Sequence, residues 1–226
     1  EDFNMASVQI LTCCLIAIGV AVAIDPRDFE LKNDVVDFAS PRNKFRMAEK
    51  DESYRWTDAT IPYQYSPMAF TNQEVKELKE SMDIFMNETC LKFRPATERD
   101  AYSIIIRDGG NGCNAILGMA GRKGTQTVNL AHGCRFYGLF LHELGHTIGL
   151  HHEHQHPDRD QGVYIKMTNV EPSMREWFET IDRNTLNMYD VPYDVQSIMH
   201  YGENAFAERD SENRAKITIQ ARDSRM

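Results

Sequence analysis

Apolar residues along the chain keep two different periods, and the switches between them mark out its elements. Ile61-Pro62-Tyr63-Gln64-Tyr65 alternates and predicts a strand. Thr71 followed three residues later by Glu74 is a capping box, a reciprocal pairing of side chain and backbone that opens a helix. Val75, Leu78, Met82 and Phe85 then recur at helical spacing, predicting a helix of about four turns with one face in the core. Ser103-Ile104-Ile105-Ile106-Arg107 is a β-branched run and reads as a second strand, closed by a turn at Asp108-Gly109-Gly110-Asn111-Gly112. Thr125 to Leu130 alternates again and predicts a third strand, expected at a sheet edge where an extended peptide would add. Leu141, Leu144 and Ile148 return to helical spacing and predict a buried helix over residues 136–148. Past Asp158 the periods fade, with a short helix expected at 173–180 and a short strand at 217–219.

The last of these helices carries the chemistry. It contains His142-Glu143-Leu144-Gly145-His146, and two histidines four apart share one helical face and can reach one metal ion. Glu143 stands beside the first of them. Gly149 permits a sharp turn, which brings His152 back as a third ligand. Three histidines with an open fourth position are the catalytic form of a zinc site, whereas structural sites are closed by four protein ligands. The eleven-residue pattern H-E-x-x-H-x-x-G-x-x-H is far more specific than its first five residues. Downstream, Ser197-Ile198-Met199-His200-Tyr201 offers a methionine floor and a tyrosine within reach of the open position.

These two motifs resemble those of the metzincin zinc endopeptidases. His152-Glu153 followed by Asp158-Arg159-Asp160, with Ser-Ile-Met-His-Tyr later, resembles the astacin family among them. The resemblance runs from about Tyr54 to the C-terminus and implies an α+β fold: two subdomains, a twisted mixed sheet, a zinc-binding helix, an irregular C-terminal half. It implies one zinc per chain held by His142, His146 and His152, with Glu143 as general base and Met199 as the Met-turn. Tyr201 would be a further ligand that swings away to stabilise the transition state. Glu153 would be buried beside the third histidine and meet the N-terminus freed on activation. His151 lies off the ligand spacing, and His154 and His156 are expected as solvated side chains. His156 stands where the family usually has arginine, which predicts a less firmly held loop.

Composition limits the partners. The 226 residues carry 34 acidic and 25 basic side chains, a net charge of −9, which argues against nucleic acid because phosphate binding needs a basic face. Residues 10–24 are apolar, and Ala21-Val22-Ala23 is a cleavage pattern, so residues 1–23 read as a signal peptide, with 1–4 as translated leader ahead of Met5. A transmembrane anchor is the weaker reading, since about 20 apolar residues are needed for a span. Secretion follows, with no membrane anchor once the signal is removed. Residues 24–46 are polar and aperiodic and read as a propeptide, with Arg42 and Arg46 as candidate processing sites; residues 47–226 would be the catalytic domain. Leu31-Lys32-Asn33-Asp34-Val35-Val36 resembles the family's pro-segment motif, in which Asp34 would bind zinc and keep the precursor silent.

Cys13 and Cys14 leave with the signal. By resemblance, Cys113 and Cys134 form a disulfide, and Cys90 would pair with a cysteine near the end of the domain. This sequence does not supply that position, which reads as truncation at the C-terminus and leaves the partner of Cys90 open. Asn87-Glu88-Thr89 is a candidate glycosylation site. The expected function is endopeptidase action on extended peptide or protein substrates, from a precursor whose own propeptide is an internal partner. The alternative is a non-catalytic secreted zinc-binding protein that keeps the fold.

Overall fold

The computed structural model describes residues 47–110, 112–119 and 123–223. The signal segment, the propeptide and Asp34 lie outside the described residues. Within them, no helix is long and apolar enough to cross a membrane. The chain divides into two compact units, one over Asp51–Leu150 and the other formed by His151–Met226 with the segment ending at Lys50.

The first unit is built on a five-stranded sheet. Its strands are β2 (Thr60–Tyr65), β3 (Lys92–Pro95), β4 (Tyr102–Arg107), β5 (Cys113–Ala115) and β6 (Gly124–Leu130), in the order β3-β2-β4-β6-β5. Four run parallel, and β5 lies antiparallel to β6. Parallel neighbours need a crossover, and β2 and β3 are joined through helix α1 (Asn72–Glu88). Thr71 caps α1 as its sequence predicts. Its hydroxyl accepts the Glu74 N–H at 3.2 Å, and the Glu74 carboxylate accepts the Thr71 N–H at 2.6 Å. The stripe facing inward is Leu78, Met82 and Phe85, which are buried with Ile61, Phe93, Ile104, Ile106 and Leu130 from the sheet. Each such side chain contributes about 1.5–3 kcal/mol on burial.

One expectation fails here. β6 is an inner strand, paired on both sides, and the sheet edge is β5. Three residues without alternation give β5 no periodic signal, so the pattern exposed only its longer neighbour.

The second unit has little regular structure, as expected. β1 (Ala48–Glu49) pairs with β8 (Leu186–Asn187), and β7 (Val163–Ile165) pairs with β9 (Ile219–Ala221). Between them the chain runs in short 3₁₀ turns over a core of Val163, Val170, Phe178, Ala205 and Ile219. The helix expected at 173–180 is a 3₁₀ segment, Pro172–Phe178. The strand expected at 217–219 begins only at Ile219, because Thr218 is buried and turns its hydroxyl to the carbonyls of Glu203 and Ala205.

Candidate metal centre

Helix α2 (Tyr137–Thr147) buries Leu139, Phe140, Leu141 and Leu144, and with them His142 and Glu143. A buried helix end must satisfy its last four carbonyls, and all four have donors. Ile148 N–H donates to Leu144 O, and Leu150 N–H donates to Gly145 O. The N–H groups of Gly149 and Gly118 both reach His146 O, and Trp56 Nε1–H donates to Thr147 O at 2.7 Å. The Leu150 and Gly149 bonds form a Schellman motif, which places its first post-helical residue in positive-φ backbone. That residue is Gly149, with φ +103°. The helix therefore stops one residue after its second histidine, and the chain is free to return with a third.

His142 and His146 sit one turn apart with ring centroids 4.7 Å from each other, edge to face. His146 Nδ1 lies 2.8 Å from Leu150 O. A carbonyl only accepts, so Nδ1 carries the proton and Nε2 keeps its lone pair for a metal. His142, His146 and His152 each offer a ring nitrogen, and the three nitrogens lie within 4.8 Å of one another. Three imidazoles, one with Nδ1 turned to a backbone carbonyl, are a donor set that suits zinc.

In the second unit the residues after His152 lock onto the segment 194–199. Glu153 N–H donates to Met199 O at 2.8 Å, and Glu153 Oε1 accepts the Asp194 N–H at 2.9 Å. Met199 and Glu153 are both buried. Ser197 shapes the turn, its hydroxyl accepting the Met199 N–H and its carbonyl the His200 N–H. His200 is buried, with Nδ1 2.6 Å from Tyr201 O and Nε2 2.5 Å from the Tyr193 hydroxyl. Burial pushes the His200 pKa down to about 4, against the pull of the Tyr201 carbonyl. The neutral ring's single proton then belongs on Nδ1, and Tyr193 donates. Burial likewise pushes the Tyr193 phenol up, with Glu153 adding to it. The Tyr201 ring lies 4.5 Å from that of His152.

His154 and His156 overturn their expectation. Both have no exposed surface. His154 Nε2 bonds Trp177 O at 2.9 Å, and its ring stacks on Tyr201 at 3.8 Å. His156 Nδ1 accepts the Asp158 N–H at 2.9 Å, and Asp158 in turn pairs with Arg183 at 2.6 Å. The loop at His156, expected to be less firmly held, is thus tied down by these bonds. His151 faces Glu49, with Nε2 3.2 Å from the carboxylate, and burial lowers its pKa despite that partner.

Cys113 and Cys134 form a disulfide with Cα atoms 6.2 Å apart, which ties β5 to the turn before α2. Cys90 is likewise disulfide-bonded. Asn87 is exposed on the last turn of α1. Sequence reasoning passed over Trp56, Arg135 and the packing role of His154. A lone tryptophan or arginine outside any periodic run gives no sign of its long-range partner.

A sequence model of the astacin peptidase family matches residues 48–226. Blastula protease 10 of Paracentrotus lividus is 33% identical over 215 residues, covering 92% of this chain and 34% of its own length. Zinc metalloproteinase nas-6 of Caenorhabditis elegans is 32% identical over 184 residues, 81% of this chain and 50% of its own. The chain thus spans a third of the first relative and half of the second. Among solved structures, high choriolytic enzyme 1, a hatching enzyme zinc-protease of Oryzias latipes, superposes with a TM-score of 0.68 at 31% identity, covering 77% of this chain and 86% of that one. The fold and the three-histidine centre define a metzincin-type α+β protein. The chain belongs to the astacin family of zinc metalloendopeptidases, its cofactor is one zinc ion, and His142, His146 and His152 are a group that could hold a metal.

Proposed function

We propose that this chain is a secreted endopeptidase that hydrolyses peptide bonds in protein substrates and is made as an inactive precursor. The observation that carries this reading is the grouping of His142, His146 and His152 with Glu143 buried next to His142. His142, His146 and His152 would hold the zinc, with Tyr201 as a further ligand. Bound there, zinc supplies Lewis acidity, polarising a peptide carbonyl and lowering the pKa of water from 15.7 toward about 7. Glu143 takes the proton from the attacking water and delivers it to the leaving amine. The Tyr201 hydroxyl donates a hydrogen bond to the developing oxyanion. Met199 would serve as the Met-turn. The edge strand β5 offers unpaired backbone groups along which an extended substrate adds as a further strand.

Maturation by removal of the propeptide, residues 24–46, is supported by the seating of the two residues after Arg46. Met47 and Ala48 are buried, β1 pairs with β8, and Met47 O accepts the His151 N–H at 3.0 Å. The new N-terminus would form where the chain is already seated, with Glu153 as its carboxylate partner. Before cleavage, Asp34 would occupy the metal in place of water. Secretion also permits glycosylation at the exposed Asn87 and oxidation of Cys113 and Cys134.

The test compares the full chain after proteolytic activation with its Glu143→Ala variant, measuring cleavage of a protein substrate alongside zinc content. The expected result is cleavage by the first only, with about one zinc bound by each. Zinc in both and cleavage by neither would establish a non-catalytic zinc-binding protein instead.

A further inference from the structure

We propose that His154 is a positioning residue for Tyr201, its imidazole fixing the plane of the phenol ring beside His152. The proposal rests on the endopeptidase reading and on Tyr201 as a group that must both meet the metal and move. Two separate devices hold Tyr201. Its backbone is gripped by His200, whose Nδ1–H donates to the Tyr201 carbonyl at 2.6 Å. That bond acts on the main chain and does not itself orient the ring. The ring is held by a slot whose flat wall is His154, stacked 3.8 Å away and only 18° from parallel. Phe178 and Phe206 close the slot at 6.0 and 5.5 Å.

A wall guides a ring only if it cannot turn itself, and His154 is pinned at three points. Its Nε2–H donates to Trp177 O at 2.9 Å, which fixes the imidazole about its last torsion. Its backbone carbonyl accepts Arg159 Nη1 at 2.9 Å, and the same nitrogen bonds the carbonyl of Phe178, tying two walls of the slot together. The ring also packs 5.5 Å from Phe178 and has no exposed surface. Parallel stacking permits sliding within the plane at little cost, while tilting out of it forfeits contact along a whole face. A phenol that slides in one plane can approach and leave a ligand position without losing its aim. A bulky aliphatic group at 154 would fill the same space without defining a plane.

The test uses His154→Leu, which removes the flat ring, and His154→Phe, which keeps it and drops the bond to Trp177. His154→Gln, which keeps a donor toward Trp177, stands in if His154→Leu does not fold. In the activated full chain, His154→Leu should lower kcat by roughly ten- to a hundredfold, as misplacement of a reacting group by about 1 Å does. KM should be unchanged and His154→Phe should retain most of the activity. In a Tyr201→Phe background the His154→Leu substitution should cost nothing further, because its effect passes through the phenol hydroxyl. The second readout is spectroscopic. Copper(II) exchanged into the three-histidine centre should show a phenolate-to-copper charge-transfer band, lost or shifted in His154→Leu and kept in His154→Phe. Additive losses with Tyr201→Phe, a band that His154→Leu leaves unchanged, or no such band in the wild-type protein would each overturn the proposal. A wild-type band with no cleavage of protein substrates would instead sink the endopeptidase reading, and the band in the variants would still decide the role of His154.

Discussion

Arg135 closes the 3₁₀ turn His132–Cys134 just before helix α2, and its replacement by methionine isolates what holds that entry in place. Its side chain is only 7% exposed. Nε donates to Leu130 O at 3.1 Å and Nη1 to Ala69 O at 2.7 Å. Nη2 bonds the Asp108 carboxylate, Glu74 lies 3.7 Å away, and the guanidinium sits 4.8 Å over the Phe70 ring. Removing one partner of a buried ion pair costs about 3–5 kcal/mol. Asp108 is 37% exposed, so solvent recovers most of its share. Glu74 at 15% recovers less, and each carbonyl left without a donor costs about 1–3 kcal/mol. Methionine keeps the packing of the aliphatic stem. The net loss for Arg135→Met is about 3 kcal/mol, which for a chain of this size lowers Tm by roughly 6–12 °C. The assay is thermal unfolding followed by circular dichroism at two scan rates, disulfides intact. Asp108→Asn serves as the comparison and should cost under about 1 kcal/mol. A melting temperature for Arg135→Met within about 2 °C of wild type would refute the reasoning. So would an Asp108→Asn variant as unstable as Arg135→Met, since the exposed pair would then carry the effect.

Two further outcomes are expected. Gly149→Ala meets nothing within 4 Å of its new Cβ, so its cost is the backbone strain of φ +103°, about 1–3 kcal/mol. Relief of that strain displaces His152, and zinc affinity measured by chelator competition should fall about tenfold for each 1.4 kcal/mol so lost; unchanged affinity would uncouple the turn from the metal. Asp100 is held well below the usual carboxylate range, first by the Arg94 guanidinium and then by the Thr97 N–H. A carboxylate with a depressed folded pKa stabilises above its unfolded value of about 3.9 and loses that contribution as pH falls below it. The gap in urea midpoint between wild type and Asp100→Asn should therefore be widest near neutrality and narrow below about pH 4; a gap independent of pH would assign Asp100 a role unrelated to its charge.

How much of the fold and of the metal centre was legible in the sequence depended on whether a residue's role was local. The capping box at Thr71 was legible, because both of its bonds close within three residues. The grouping of His142, His146 and His152 was legible for the same reason, since helical spacing and one glycine turn determine their approach. Strands β2, β4 and β6 announced themselves by alternation or β-branching. β3 and β5 did not, being short and carrying Pro95 and Cys113 where a pattern would need apolar residues. His154 and His156 failed for a different reason. Histidine is compatible with water or with burial, and for His154 the choice was made by Trp177, Phe178 and Tyr201, which lie far away in sequence and outside any period. Arg135 joins residues up to 66 positions away through main-chain carbonyls, which leave no trace in side-chain identity.

The sheet also sets an order of assembly. Its parallel pairings join Thr60 to Lys92, Tyr63 to Ile104 and Tyr102 to Gly124, so each requires a long loop to close before any ladder bond forms. Helix α2, by contrast, closes every bond within a turn and can form in about a microsecond. The metal-binding face thus rests on local bonds, whereas the platform that buries it must wait for closure of β4 between β2 and β6. While that step is pending, the run Ile104-Ile105-Ile106 stands uncovered, and any condition that slows closure trades native yield for aggregation at that strand.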